Sequence, residues 1–438
     1  MKLWNRFAPR RADPTLVRWE KGLCLLFFTT SFAQIWIRWN QECGYDAVLH
    51  LSMLTQLRWL SPIIGLHASF YAYHPPLGFL LARSIFLFGV PRTGSVQLLS
   101  LVASLLAFLC LRESLRHMQI LSTSTGVTFL YAVAAIPMQR FLQRCVNLDV
   151  LILAVASMSL LLSLRLFKPR NPASRLKRWT SFSLIFVLLC GMMIKYSGVV
   201  SLSIPILTVL FISEKNTRRG ALRHAFIIAI VAGALAFPYY FLRYFVPTHT
   251  FFPQNVTWLI GGWERGARHW RAVHPFLFLL NLFFGTPLWT HAIVSHSLTE
   301  TRLWDTFRNF WVLGFSGHFF RVLSRPPYVF TMTFLMAIGG FAFIRNVNEE
   351  THEWRRFAWL LCTISAVFLV ALFAFVFRYP YSGWGPMKGI YIAPALWGMG
   401  VLFCEFLLLL RRRLHLPSHS LFVFLAILIA LQTVLLLP

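Results

Sequence analysis

LDVLILAVASMSLLLSLRLF, residues 148–167, carries one acid at its start, one base near its end, and only apolar or small residues between. Twenty such residues wound as a helix reach about 30 Å, the thickness of the hydrocarbon core of a bilayer. Arg165, Lys168, Arg170, Arg175, Lys177 and Arg178 follow at once. An apolar run that ends in cations reads as a membrane helix whose last residues lie in the cytoplasm. The pattern recurs, near 22–37, 75–90, 96–112, 119–137, 179–194, 198–213, 222–243, 276–293, 328–344, 357–377, 389–410 and 419–437. The fold class that follows is an all-α, polytopic membrane protein.

Composition agrees. Of 438 residues, 57% are hydrophobic and 13% charged, against about 25% charged in a typical soluble domain. That excludes a disordered chain and sets aside a water-soluble enzyme. The net charge of +27 would suggest nucleic acid in a soluble protein. Here the cations sit in short loops and at the ends of apolar runs, where cytoplasmic loops and headgroups account for them. Nucleic acid is therefore not expected as a partner; membrane lipids are. Five of the seven cysteines, Cys24, Cys110, Cys190, Cys362 and Cys404, lie in apolar runs and read as packing residues. Cys43 and Cys145 fall in external loops and are open to pairing. No spacing suits zinc. The run at 22–37 follows a basic tail and reads as a signal anchor.

Five basic clusters fix the expected sidedness. They are the tail (Lys2, Arg6, Arg10, Arg11, Arg18, Lys21), the segment after residue 164, the group Lys215, Arg218, Arg219 and Arg223, the group Arg345, Arg355 and Arg356, and Arg411 to Arg413. With all five inside, the run at 148–167 must travel inward. Three crossings before it would give the wrong parity, so one run does not cross. The short run at 75–90, which opens on Pro75-Pro76, is that one, and 276–293 lies along the surface by the same test. About eleven spans are expected, within nine to thirteen, with the N-terminus inside and the C-terminus outside. The chain is read as one integral domain, 1–438. Residues 38–90 form a first external loop with interfacial helices, and 245–327 a long external segment.

Only fourteen carboxylates exist, so they can be surveyed completely. Glu42, Asp46, Asp149, Glu264, Glu300 and Asp305 fall outside, and an external general base is sought among them. Asp46 and His50 are four apart and share one face of a helix. A carboxylate and an imidazole together can take a proton from a hydroxyl; an ordinary surface pair on an interfacial helix would look the same. His74 precedes Pro75-Pro76 and is held at the interface. Arg140, Arg144, Asn147 and Asp149 form a polar knot on the external side. Arginines there suit an anionic ligand such as a lipid phosphate, or else reach for headgroups. Lys195 ends an apolar run and Lys388 precedes one. Both suit a phosphate partner, and both suit an interface anchor. Asn255-Val256-Thr257 is an N-glycan acceptor sequence, and Glu264 with Arg265, Arg268, His269, Trp270 and Arg271 makes a polar, aromatic face for a substrate or for the membrane surface.

In chain order, Gly44-Tyr45-Asp46 with His50, His74-Pro75-Pro76-Leu77, Asn147-x-Asp149, Lys195-Tyr196-Ser197-Gly198 and Lys388-x-x-Tyr391-x-x-Pro394 resemble the integral-membrane glycosyltransferases of the GT-C fold. The likeness is to the branch of protein O-mannosyltransferases and aminoarabinose transferases of lipid A, and covers about residues 20–400. It implies a sugar donor on a polyprenyl phosphate and a hydroxyl acceptor on a lipid, glycan or protein. It also implies an active site on the non-cytoplasmic face. Asp46, with His50 and Asp149, would be catalytic, Asp46 as the general base. Lys195, Lys388 and Arg140 or Arg144 would neutralise the departing phosphate, and His74, Tyr391 and Glu264 would touch substrate. Relatives often carry Asp-Glu in the first loop, where this chain has Asp46-Ala47. A lone carboxylate makes a poor divalent site, so no cofactor and no metal are expected. A transporter or flippase of a lipid-linked or anionic substrate is the rival reading. It would favour internal repeats, and none is found.

Overall fold

The computed structural model describes residues 13–41, 47–56, 74–136, 139, 143, 148–168, 174–249, 251, 337–345, 351–378 and 393–435. Among these residues the regular structure is helical, with no strand. The helices are α1 (Pro14–Ile37), α2 (Ala47–Gln56), α3 (Leu77–Leu87), α4 (Arg92–His117), α5 (Ser124–Ala134), α6 (Asp149–Phe167) and α7 (Ser174–Ile194). A 3₁₀ helix, Tyr196–Leu202, leads into α8 (Ser203–Ile212). α9 (Arg218–Tyr240) runs into a π turn, Phe241–Phe245. Last come α10 (His352–Arg378), α11 (Leu396–Arg413) and α12 (Ser418–Leu435). Residues 337–345 are also helical.

Local chemistry sets the boundaries. Asp13 accepts from the Thr15 amide at 2.9 Å and Pro14 opens α1, a pre-shaped first turn. Thr123 caps α5, accepting from the Gly126 amide at 3.1 Å. The apolar run at 119–137 is therefore helical only from Ser124, since Ile120 and Leu121 belong to the turn before the cap. α3 has 11 residues, about 16 Å of helix, which is half a bilayer. The run at 75–90 thus forms a short helix, as its length and prolines predict. The run at 198–213 gains reach from its 3₁₀ start, because that helix rises about 2.0 Å per residue against 1.5 Å for an α-helix.

Six helical segments among the described residues are long and apolar enough to cross a membrane. They are Arg92–His117, Asp149–Phe167, Lys177–Ile194, Arg218–Phe245, His352–Leu372 and Ala393–Arg413. The chain is an integral, multi-pass membrane protein. The segment 245–327 lies outside the described residues except for its first few positions, and with it 276–293, the sequon and Glu264.

α5 and α6 form the centre. Every α5 residue from Thr125 to Ala134 is buried, and so is nearly all of α6. Small residues let the helices close on one another: a Cβ on Gly400 of α11 would lie 2.4 Å from Val133 of α5. α7 and α9 lie at the edge. Trp179, Phe182 and Phe186 on α7, and Phe226, Ile230, Leu235 and Phe237 on α9, face outward. A helix in lipid keeps apolar side chains on its outer face because the tails are as apolar as they are.

The helices alternate in direction, and polar contacts mark one end of the bundle. Arg112, near the end of α4, donates to Glu20, near the start of α1, at 2.6 Å, and to Glu113 at 2.8 Å. His117 meets the Lys168 carbonyl at 2.8 Å, and Lys168 pairs with Glu353 at the start of α10. Arg356 donates to the Phe211 carbonyl at 2.7 Å and also to those of Ile212 and Ser213, closing the end of α8. Arg411 donates to Ser418 at 2.9 Å, tying α11 to α12. The described members of the five basic clusters all gather at this end.

Candidate functional site

At the opposite end, the chain turns from α7 into the 3₁₀ helix through Lys195, whose backbone is extended (φ −160°, ψ 153°). The turn is tight. The Gly198 amide donates to the Lys195 carbonyl at 2.9 Å. A Cβ on Gly198 would lie 2.0 Å from the Gly191 carbonyl oxygen, so only glycine fits without moving backbone. This close approach fixes the direction in which Lys195 leaves the chain. Its ammonium donates to the carboxylate of Asp149. Asp149 is the first residue of α6, where the exposed amides of a helix start favour an anion. It is 2% exposed, and the Lys195 side chain 14%.

The His-Pro-Pro-Leu motif docks on the same spot. A Cβ on Gly78 would meet Leu148 at 3.0 Å, Leu151 at 3.3 Å and Ile194 at 3.5 Å, so the first turn of α3 sits between the start of α6 and the end of α7. His74, just before it, brings its ring to 5.8 Å from that of Tyr196. Tyr196 stands 5.4 Å from Tyr244 and 6.1 Å from Tyr240. Tyr240 donates to the Met192 carbonyl at 2.8 Å, and the Tyr239 and Tyr244 hydroxyls are 3.3 Å apart. Tyr239 and Tyr240 close α9, and the π turn that follows adds Tyr244 and Arg243; such turns are frequent at functional sites.

Asp149, Lys195 and His74, taken from three separate motifs, therefore meet in one place. His50 lies on α2. Asp46, Arg140, Arg144, Glu264, Lys388 and Tyr391 fall outside the described residues. Pro394, which closes the last motif, is buried at the opening of α11, where its carbonyl accepts from Ser365 at 3.4 Å. Among the described residues no three of His, Cys, Asp and Glu gather as metal ligands.

Sequence reasoning missed the tyrosine cluster. Its signal was three tyrosines and an arginine within the six residues 239–244 at the end of an apolar run, a pattern that passes for an interfacial aromatic belt. It also missed a set of buried glutamines. Gln34 of α1 and Gln97 of α4, with Gln139 and Gln143, are all at most 3% exposed. Gln97 holds the turn that follows α1. It accepts from the Asn40 amide at 2.9 Å and donates to the carbonyls of Arg38 at 3.0 Å and Gln41 at 3.1 Å. The chain leaves this clamp toward Asp46.

Residues 73–241 match the profile of the dolichyl-phosphate-mannose-protein mannosyltransferase family. The match opens one residue before His74 and closes at the π turn, so it takes in Asp149, Lys195 and Tyr196. No curated protein sequence matches the chain. Among solved structures, the oligosaccharyltransferase of Archaeoglobus fulgidus, in complex with zinc and sulfate, aligns with 93% of this chain at 13% identity and a TM-score of 0.51. The chain spans 53% of that protein, about half its length. ArnT from Cupriavidus metallidurans aligns over 88% of this chain and 77% of its own. Its apo form gives 14% identity and a TM-score of 0.41; its form bound to undecaprenyl phosphate gives 15% and 0.40. At such identities the likeness is one of fold. The chain is an integral-membrane protein of the GT-C fold, similar over residues 73–241 to dolichyl-phosphate-mannose-protein mannosyltransferases.

Proposed function

We propose that this protein is a glycosyltransferase that moves a sugar from a polyprenyl-phosphate donor to a hydroxyl acceptor on the non-cytoplasmic face of its membrane. The observation that carries the reading is the Asp149–Lys195 pair beside His74. It stands at the end of the bundle away from the basic clusters, and it lies inside the stretch that resembles the mannosyltransferases. Sidedness follows from the positive-inside rule applied to those clusters.

In this reading the acceptor oxygen attacks the anomeric carbon of the donor. The bond from that carbon to the phosphate oxygen breaks, and polyprenyl phosphate leaves with the electron pair. Asp46, with His50 four residues on in the sequence, takes the acceptor proton. Lys195 has three N–H donors. Asp149 engages the ammonium and holds it in place at the end of α7, where it meets the phosphate. Since Asp149 and Lys195 cancel in charge, the negative charge developing on the leaving group needs further cations, and Arg140 or Arg144 with Lys388 fill that role. His74, Tyr391 and Glu264 contact substrate. No metal is required in this scheme.

The test follows the donor, so the acceptor need not be known. Purified protein is supplied with polyprenyl phosphate bearing radiolabelled mannose, and then other sugars, and release of free polyprenyl phosphate is measured with mixed hydroxyl acceptors. Release that is lost in Asp46→Asn at unchanged folding supports the reading. A donor that stays intact but crosses the bilayer of sealed vesicles would replace it with a flippase.

A further inference from the structure

We propose that α7 and α9 form a binding site for one anionic phospholipid at the end of the bundle that carries the basic clusters. The phosphate lies against Lys177, Arg178 and His224, and an acyl chain follows the row Ile227, Val231 and Leu235. The proposal is independent of the function proposed above.

The two helices run side by side in the same direction. Near their starts Ser181 Oγ stands 3.2 Å from His224 Nε2, and near their ends Tyr240 donates to the Met192 carbonyl at 2.8 Å. Lys177 lies one turn before Ser181 on the same face, and its carbonyl accepts from the Ser181 hydroxyl at 3.0 Å. Its charge acts on the His224 ring. Arg178 follows Lys177, and Arg223 adjoins His224. Among the described residues no carboxylate pairs with Lys177, Arg178 or Arg223, and their side chains make no hydrogen bond. Arg112 and Lys168, at the same end, are by contrast paired with glutamates. Cations gathered without a counter-charge repel one another, and an anion among them reverses the sign of that interaction. There is room for one. Gly220 lies one turn before His224 on the same face, and a Cβ there would meet nothing within 4 Å.

Depth identifies the anion as part of a lipid. The apolar stretch Lys177–Ile194 has 18 residues, about 27 Å of helix, close to the full hydrocarbon thickness. Lys177 and Arg178 therefore stand at its boundary. The stretch Arg218–Phe245 has 28 residues, about 42 Å, and outreaches the hydrocarbon, so its first turns lie among headgroups. Beyond His224, the exposed residues Ile227, Val231 and Leu235 follow at spacings of three, four and four, on one face. Because His224 touches α7, this row follows the seam between the helices. Phe182, exposed and next to Ser181, borders it from the α7 side. Cations at the boundary with an apolar lane beneath them fit a phosphodiester carrying acyl chains; a free phosphate would leave the lane unused. Basic pockets between membrane helices hold anionic headgroups in this way. A zwitterionic lipid would bring its own ammonium to a cluster already cationic.

The test counts lipid on the full-length protein in neutral detergent. Phosphatidylglycerol or phosphatidylcholine is titrated in, and retained lipid is read by native mass spectrometry. One phosphatidylglycerol should be retained at concentrations where phosphatidylcholine is not, and it should raise the melting temperature. Lys177→Gln with Arg178→Gln should weaken that retention about 30-fold, the effect of two cations at headgroup level, and abolish the rise in melting temperature. Arg18→Gln with Lys21→Gln removes the same charge at the start of α1 and should change retention less than about twofold. All four side chains are exposed, so both variants should fold. Equal weakening by the two variants would show a diffuse attraction and overturn the site. Equal retention of the two lipids would overturn it as well. Inorganic phosphate in excess should not displace the lipid; displacement would make a free anion the occupant and overturn the lipid assignment.

Discussion

Lys195 donates to Asp149 where the end of α7 meets the start of α6, joining positions 46 apart in the chain. The pair is held by a glycine contact on one side and a helix start on the other, and both partners are largely withdrawn from solvent. Breaking a buried pair strands the remaining charge, at about 3–5 kcal/mol. Lys195→Met is expected to lower transfer by about 10²-fold or more, the loss seen when a group that stabilises leaving-group charge is removed. Asp149→Asn should retain more activity, since the ammonium survives without its guide. Transfer rates normalised to folded protein check both.

Gly198 should tolerate no side chain. Gly198→Ala sets a Cβ 2.0 Å from the Gly191 carbonyl oxygen, and backbone has to move. The expected result is loss of folded protein or of several degrees of melting temperature, with transfer abolished. Gly233→Ala is the control: nothing lies within 4 Å of its Cβ, and it sits inside α9. It should be neutral or stabilising by about 0.5–1 kcal/mol, the gain of alanine over glycine in a helix interior. Thermal unfolding in detergent distinguishes the two.

Gln97→Leu removes all three hydrogen bonds that clamp the end of α1. At about 1 kcal/mol for each, stability should drop by about 2–3 kcal/mol. Transfer should fall further than stability explains, because Asp46 lies five residues beyond the clamp. A variant that loses stability but keeps kcat would separate the clamp from the base.

The indole of Trp354 donates to the carboxylate of Glu405 at 2.9 Å, linking α10 to α11. Glu405 is 1% exposed. Glu405→Gln keeps an acceptor and should be mild. Glu405→Leu leaves the indole N–H unpaired and should cost about 1–3 kcal/mol. Trp354→Phe combined with Glu405→Leu should recover part of that loss, measured by thermal unfolding.

Sidedness has its own test. Arg92, at the site end, and Lys215, in the turn before α9, are both exposed and at opposite ends of the bundle. Arg92→Cys should react with a membrane-impermeant maleimide in intact cells, and Lys215→Cys only after permeabilisation. The reverse pattern would turn the assignment over.

The bundle was legible because its driving signal is long and repetitive. Runs such as 148–167 need no partner to be recognised. The site was legible as separate motifs. Lys195-Tyr196-Ser197-Gly198 and His74-Pro75-Pro76 each stood out by an abrupt change in polarity. Their meeting did not, because it depends on Gly78 nesting against Leu148 and Ile194, a matter of packing that no local pattern encodes. Gln34, Gln97, Gln139 and Gln143 were invisible for the opposite reason. A glutamine in an apolar run looks like noise until its neighbours from other helices are in place.

α5 leaves no surface to lipid, and much of what covers it comes from the far end of the chain. Gly400 of α11 presses on Val133, Phe422 of α12 stacks on Tyr131 at 5.6 Å, and Trp354 of α10 meets Phe129 at 5.3 Å. During synthesis α5 leaves the ribosome more than two hundred residues before these partners. The newborn helix, with Thr125 and Thr128 among its residues, is made before the side chains that cover it in the finished fold. A chain that stops before α10 has mainly α1 and α4 to set against α5 and lacks the cover that Phe422, Trp354 and Gly400 give it.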